Sequence, residues 1–172
     1  MNRPKIAIKK SKFDKSIEIL SFLMLVGSVA IILIYSSQLP EKLPIYFNTP
    51  LKDSDGFGNK SLLWELPIIL GIIVFIIYKL SQYPWIFNYP IKIKPENAEY
   101  NYKLSSQMLR VLGFAISFTC FSLTLTSILN GLGYYEELAS YLSPFIIGLL
   151  FGIPIVYMIL ILIKKNYVQQ RL

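Results

Sequence analysis

Residues 142–163 read Leu-Ser-Pro-Phe-Ile-Ile-Gly-Leu-Leu-Phe-Gly-Ile-Pro-Ile-Val-Tyr-Met-Ile-Leu-Ile-Leu-Ile, without one charged side chain. An apolar run of roughly 20 residues, wound as a helix, crosses the ~30 Å hydrocarbon core of a bilayer. Lys164 and Lys165 end the run. Three earlier blocks follow the same pattern, at 17–39, 62–80 and 109–132. The chain of 172 residues is 54% hydrophobic and 16% charged, where an ordinary soluble domain carries about 25% charged residues. Intrinsic disorder is excluded as well, because it needs low hydrophobicity and high charge. The expectation is an all-α integral membrane protein: four transmembrane helices with a short ordered extracellular cap between helices 1 and 2. In that reading residues 1–16 form a basic tail, 17–163 a single four-helix domain and 164–172 a second tail. The connections are 40–61, 81–108 and 133–141.

The connecting segments carry an orientation signal. The first tail holds Arg3, Lys5, Lys9, Lys10, Lys12 and Lys15. The 81–108 loop and its edges hold Lys79, Lys92, Lys94, Lys103 and Arg110, and the second tail Lys164, Lys165 and Arg171. Together these are 14 of the 17 basic residues. The opposite side holds Lys42, Lys52 and Lys60 against Glu41, Asp53, Asp55, Glu65, Glu136 and Glu137. The positive-inside rule then places both termini in the cytoplasm. Orientation during insertion is the simpler account of the basic tail, although docking to anionic lipid is a second one. Its lack of interleaved aromatic residues argues against nucleic acid. The first block lacks a small-x-small cleavage site after it and reads as a retained helix.

The residue inventory narrows the chemistry. The chain contains no histidine and a single cysteine, Cys120. Histidine-based catalysis, His-ligated metals and an intrachain disulfide are thereby excluded. No catalytic residue, cofactor or metal is expected. No charge falls in the middle of any span, which counts against a proton or ion pathway. Span three is the polar one: Ser117, Cys120, Thr124, Ser127 and Gly131 recur at helical spacing on one face. That face suits a central helix whose hydroxyls bond to backbone carbonyls. Gly148 and Gly152 in span four allow close helix packing, within the bundle or across a dimer, and Pro154 predicts a kink.

The 40–61 loop is the most distinctive segment. Pro40 and Pro44 impose an extended path, and Asp55-Gly56 and Gly58-Asn59 mark tight turns. Asp53, Asp55 and Asn59 with Gly56 could gather oxygen ligands for calcium, but an EF-hand needs glutamate at its twelfth position, and Trp64 stands there. The order Leu39, Pro40, Pro44, Phe47, Asn48, then Asp55, Gly56, Gly58, Lys60, resembles the bacterial membrane domain of unknown function numbered 1648, as found in SdpI-type immunity proteins. That family's loop has the form L-P-x-x-I-P-x-H-F-N followed by D-G-x-G-x-K. A second stretch, Phe87, Asn88, Tyr89, Pro90 and Ile93 with Asn97, is similar to the family's segment after its second span. The likeness covers roughly residues 17–130. Two departures stand out: Tyr46 replaces the family histidine, and the glycine expected between Asn48 and Asp55 is missing.

The resemblance implies a multi-pass protein of the bacterial inner membrane, non-enzymatic, of the immunity or signalling type. Its expected partners are the lipid bilayer and a secreted peptide toxin or another membrane protein. The candidate site is Pro40, Pro44, Phe47, Asn48, Asp55, Gly56, Gly58 and Lys60, with Asn48, Asp55 and Lys60 as its polar members and Lys60 placed to pair with Asp55 or a lipid phosphate. Phe87, Asn88, Tyr89 and Pro90 form a candidate inner-loop motif, expected to lie flat on the membrane surface. The competing reading is a small transporter or channel subunit.

Overall fold

The computed structural model describes residues 3–45, 50, 53–134 and 138–169. Four helices dominate: α1 (Lys12–Tyr35), α2 (Glu65–Leu80), α3 (Pro95–Gly131) and α4 (Leu138–Gln169). Four helical stretches are long and apolar enough to cross a membrane, the second only when the 3-10 turn at Lys60–Trp64 is counted with α2, giving Lys60–Leu80. Between α1 and α2 lies a two-stranded antiparallel hairpin, β1 (Lys42–Pro44) on β2 (Phe57–Asn59), with Leu43 opposite Gly58. The all-α expectation is corrected to that extent. The hairpin marks one end of the molecule, and residues 3–11 mark the other, called here the hairpin end and the tail end.

Helix limits follow local chemistry more than hydropathy. α1 starts at Lys12, ahead of the expected apolar boundary, because Ser11 and Asp14 cap it reciprocally. The Asp14 amide donates to Ser11 Oγ (3.1 Å), and the Ser11 amide donates to Asp14 Oδ2 (2.8 Å). Such a box satisfies two otherwise orphaned amides. α3 begins at Pro95, where proline suits the first turn and the Lys94 amide donates to Asn97 Oδ1 (2.9 Å). Thus much of the expected 81–108 loop is helix. α4 starts at Leu138 and continues through Pro144 and Pro154 to Gln169, so the connection before it is shorter, and the tail after it more helical, than expected.

α3 is the hub. At 37 residues it runs about 55 Å and packs against each of the other three helices. Ser117, Cys120, Thr124 and Ser127 are wholly buried in it. Ser117 donates to the Gly113 carbonyl (3.0 Å) and Thr124 to that of Cys120 (2.8 Å). The polar stripe is therefore a packing device: short side chains let helices approach, and the Ser117 and Thr124 hydroxyls donate to their own backbone, while the buried Ser127 hydroxyl finds no partner among the described residues. The large apolar side chains point the other way. Phe22, Phe75 and Phe151 are each more than 60% exposed. A small, partly polar interior beneath a large apolar mantle is the arrangement a bilayer covers. Gly148 and Gly152 have no atom within 4 Å of where a Cβ would stand. They are not used for packing inside the bundle.

Candidate functional site

The hairpin is rooted in the molecule's larger apolar cluster. Leu39, Leu43 and Ile45 from the loop pack with Ile32 of α1, Leu62 and Leu63 of the 3-10 turn at Lys60–Trp64, and Ile128 of α3. Leu43 is fully buried. Gly58 sits so close beneath this cluster that a Cβ would lie 2.5 Å from Leu62 Cδ1. Pro44 pairs with Phe57 across the ladder, and Pro40 is exposed ahead of it. The segment between the strands turns at Gly56, whose φ of 85° is a left-handed conformation that glycine adopts at no steric cost.

Asp53 organises this turn. Its amide donates to the Phe57 carbonyl (2.7 Å), the Phe57 amide donates to its Oδ1 (2.7 Å), and the Gly56 amide donates to its carbonyl (3.1 Å). From the sequence Asp55 is the expected polar member of this turn. Asp55 is instead exposed and, among the described residues, accepts only from Ser54 Oγ, at 3.5 Å. Lys60 pairs with Glu41 at 3.0 Å rather than with Asp55. The reason is register: antiparallel pairing of Lys42 with Asn59 brings their neighbours Glu41 and Lys60 together. Phe47 and Asn48 lie outside the described residues, as does Tyr46. The hairpin thus presents Asp53, Ser54, Asp55 and a 41% exposed Phe57 on a root that is held in the core. Among the described residues no group of His, Cys, Asp and Glu is placed to hold a metal ion.

A second polar site lies at the tail end. Arg110 of α3 is 2% exposed. Its Nε donates to Glu18 Oε1 (3.1 Å), and its Nη1 stands 3.5 Å from Asp14 Oδ1, an ion-pair contact without hydrogen-bond geometry. Lys10 closes on the other oxygen of Glu18 at 2.6 Å. Beside them the Ser21 and Tyr78 hydroxyls hydrogen-bond each other, and Tyr78 reaches the Arg110 carbonyl (3.4 Å). One arginine therefore joins α1, α2 and α3. It lies about 32 Å along α3 from Gly131, the depth at which a bilayer core starting at the hairpin end would finish. From the sequence Arg110 reads as a loop-edge charge. The available signal was the helical spacing of Asp14 and Glu18, which puts two acids on one face of α1.

The inner-loop motif folds rather than lying flat. Tyr89 is buried, donates to the Pro84 carbonyl (2.9 Å) and packs on Tyr102 of α3, ring centroids 5.8 Å apart. Burial pushes its phenol pKa up to about 12. Phe87 offers its carbonyl to Arg3, while Asn88 and Pro90 are exposed. The prolines at 84, 90 and 95 hold this chain in short turns against the tail-end extension of α3. No known protein family, curated protein or solved structure matches the chain.

Proposed function

We propose that this is a non-enzymatic, multi-pass protein of a bacterial cell membrane, with both termini cytoplasmic. In this reading it belongs with the immunity and signalling proteins its loop resembles, and it recognises a secreted peptide or another membrane protein through the hairpin. One observation carries the reading: the hairpin root is buried while its turn is exposed. A tether between two spans needs no such anchoring. A recognition surface gains from it, because a pre-ordered loop loses less entropy on binding. Exposed Phe57 beside Asp53 and Asp55 supplies the mixed apolar and polar contact that binding surfaces use.

Deletion of the gene, followed by challenge with the organism's own secreted peptides, tests this. Wild-type protein restores resistance. Asp55→Ala and Phe57→Ala do not, although both reach the membrane and melt near the wild-type temperature. Full resistance in either case without the hairpin residues sinks the assignment.

A small transporter is the second reading, and the buried Arg110, Asp14 and Glu18 cluster favours it, since ionisable groups at membrane depth are often functional. The cluster is confined to one end, however, and the Ser117, Thr124 and Thr126 hydroxyls that would continue a path donate to their own backbone.

A further inference from the structure

We propose that residues 3–11 and the start of α1 form a fixed binding surface for anionic phospholipid headgroups of the adjacent leaflet. The observation behind it is that the basic tail is strapped down. Arg3 donates to the carbonyls of Trp85 and Phe87 and stands 5.6 Å over the Tyr89 ring. Ile6 and Ile8 pack against the cluster of Tyr89, Ala98, Tyr102 and Ile161. Alternation along this extended stretch turns Lys5 and Lys9 outward. Lys12 and Lys15 follow in the first turn of α1, also exposed. Among the described residues none of these four lysines has an acidic partner.

Neither helix stability nor insertion explains this arrangement. A helix N-terminus favours anions, so lysines gathered there are electrostatically misplaced unless a negative ligand arrives. Insertion needs only charge on the tail, not a tail held at three points. The lysines also border membrane-seeking surface: Phe13, between Lys12 and Lys15, is 52% exposed, and Ile86 beside the strap is 58% exposed. Cations alternating with exposed apolar groups at the end of an apolar helix match a phospholipid, whose phosphate and acyl chain meet at that level. Each lysine near an anionic surface contributes about fivefold to binding, so four acting together give a preference well above tenfold.

Full-length protein in nanodiscs of phosphatidylcholine alone, or mixed with phosphatidylglycerol, tests the proposal by counting retained lipids with native mass spectrometry. Wild type retains phosphatidylglycerol selectively, and high salt weakens the selectivity. The combined Lys5→Gln, Lys9→Gln, Lys12→Gln, Lys15→Gln variant loses at least tenfold of it, yet melts normally in phosphatidylcholine. Arg3→Lys keeps the tail charge, and so insertion, but loosens the strap; it lowers selectivity partway. Equal retention of both lipids by wild type overturns the proposal. So does unchanged selectivity in the quadruple variant or in Arg3→Lys, or binding of an oligonucleotide with no effect of phosphatidylglycerol.

Discussion

Arg110 on α3 and Glu18 on α1 stand 92 positions apart in sequence and 3.1 Å apart in space. With Asp14 and Lys10 they make a charge-balanced group of two cations and two carboxylates where α1 and α3 meet. Balance matters because a buried charge is tolerable only when paired. The group also dictates register: sliding α1 along α3 by one turn would leave Arg110 facing one of the two carboxylates instead of both.

Arg110→Met is expected to destabilise the protein by about 3–5 kcal/mol, since it leaves the buried Asp14 without a cation and Glu18 with Lys10 alone. Lys60→Met removes the exposed pair with Glu41 and is expected to cost at most about 1 kcal/mol. Unfolding in mild detergent measures both, and equal losses would refute the structural role given to Arg110.

Gly113 faces Tyr78 so closely that a Cβ would lie 2.5 Å from Tyr78 Cε1. Gly113→Ala should therefore cost about 1–3 kcal/mol through forced repacking, with Tyr78→Ser relieving the clash. Gly148→Ala meets open space and should leave the melting temperature unchanged. A large loss from Gly148→Ala in a monomeric preparation would mean that another element covers that face.

In the hairpin, Asp53→Ala should loosen the turn and increase proteolysis between β1 and β2, because it removes the carboxylate that accepts from the Phe57 amide and pairs with Lys42 at 3.7 Å. Asp55→Ala should leave proteolysis unchanged. Indistinguishable digestion of the two variants would show that Asp53 does not organise the loop.

Tyr89 provides a pH prediction. Its phenol titrates near 12 when folded, against about 10 in an unfolded chain. Between those values the unfolded state releases a proton that the folded state keeps, so stability falls as pH rises from 10 to 12 and is flat below 10. Phenolate absorbance of wild type minus Tyr89→Phe should show a step near 12. A step at 10 would mean that the ring is solvated.

Topology is checked by an impermeant thiol reagent on intact cells. Cysteine at Ser54, in the exposed turn, should react, and cysteine at Ala7, in the strap, should react only after lysis. Reaction at Ala7 in intact cells would reverse the orientation inferred from the lysine distribution.

Four membrane-length helices were legible in the sequence because run length and charge are one-dimensional properties, and each helix closes its own hydrogen bonds. The hub role of α3 was legible too, since Ser117, Cys120, Thr124 and Ser127 repeat at helical spacing and only small groups permit close packing on all sides. The start of α1 at Lys12 was not read from the sequence, where hydropathy alone put it at residue 17, although the Ser11 and Asp14 capping pair is a local signal. The rest required long-range pairing. Asp53 rather than Asp55 holds the turn, and Lys60 meets Glu41, because strand register decides which neighbours face each other. Tyr89 reads as a surface aromatic until Tyr102 and the Arg3 strap cover it. Arg110 reads as a loop charge until Glu18 and Asp14 arrive from another helix. Burial of a polar residue is a property of its partners, and only the tertiary structure brings those partners together.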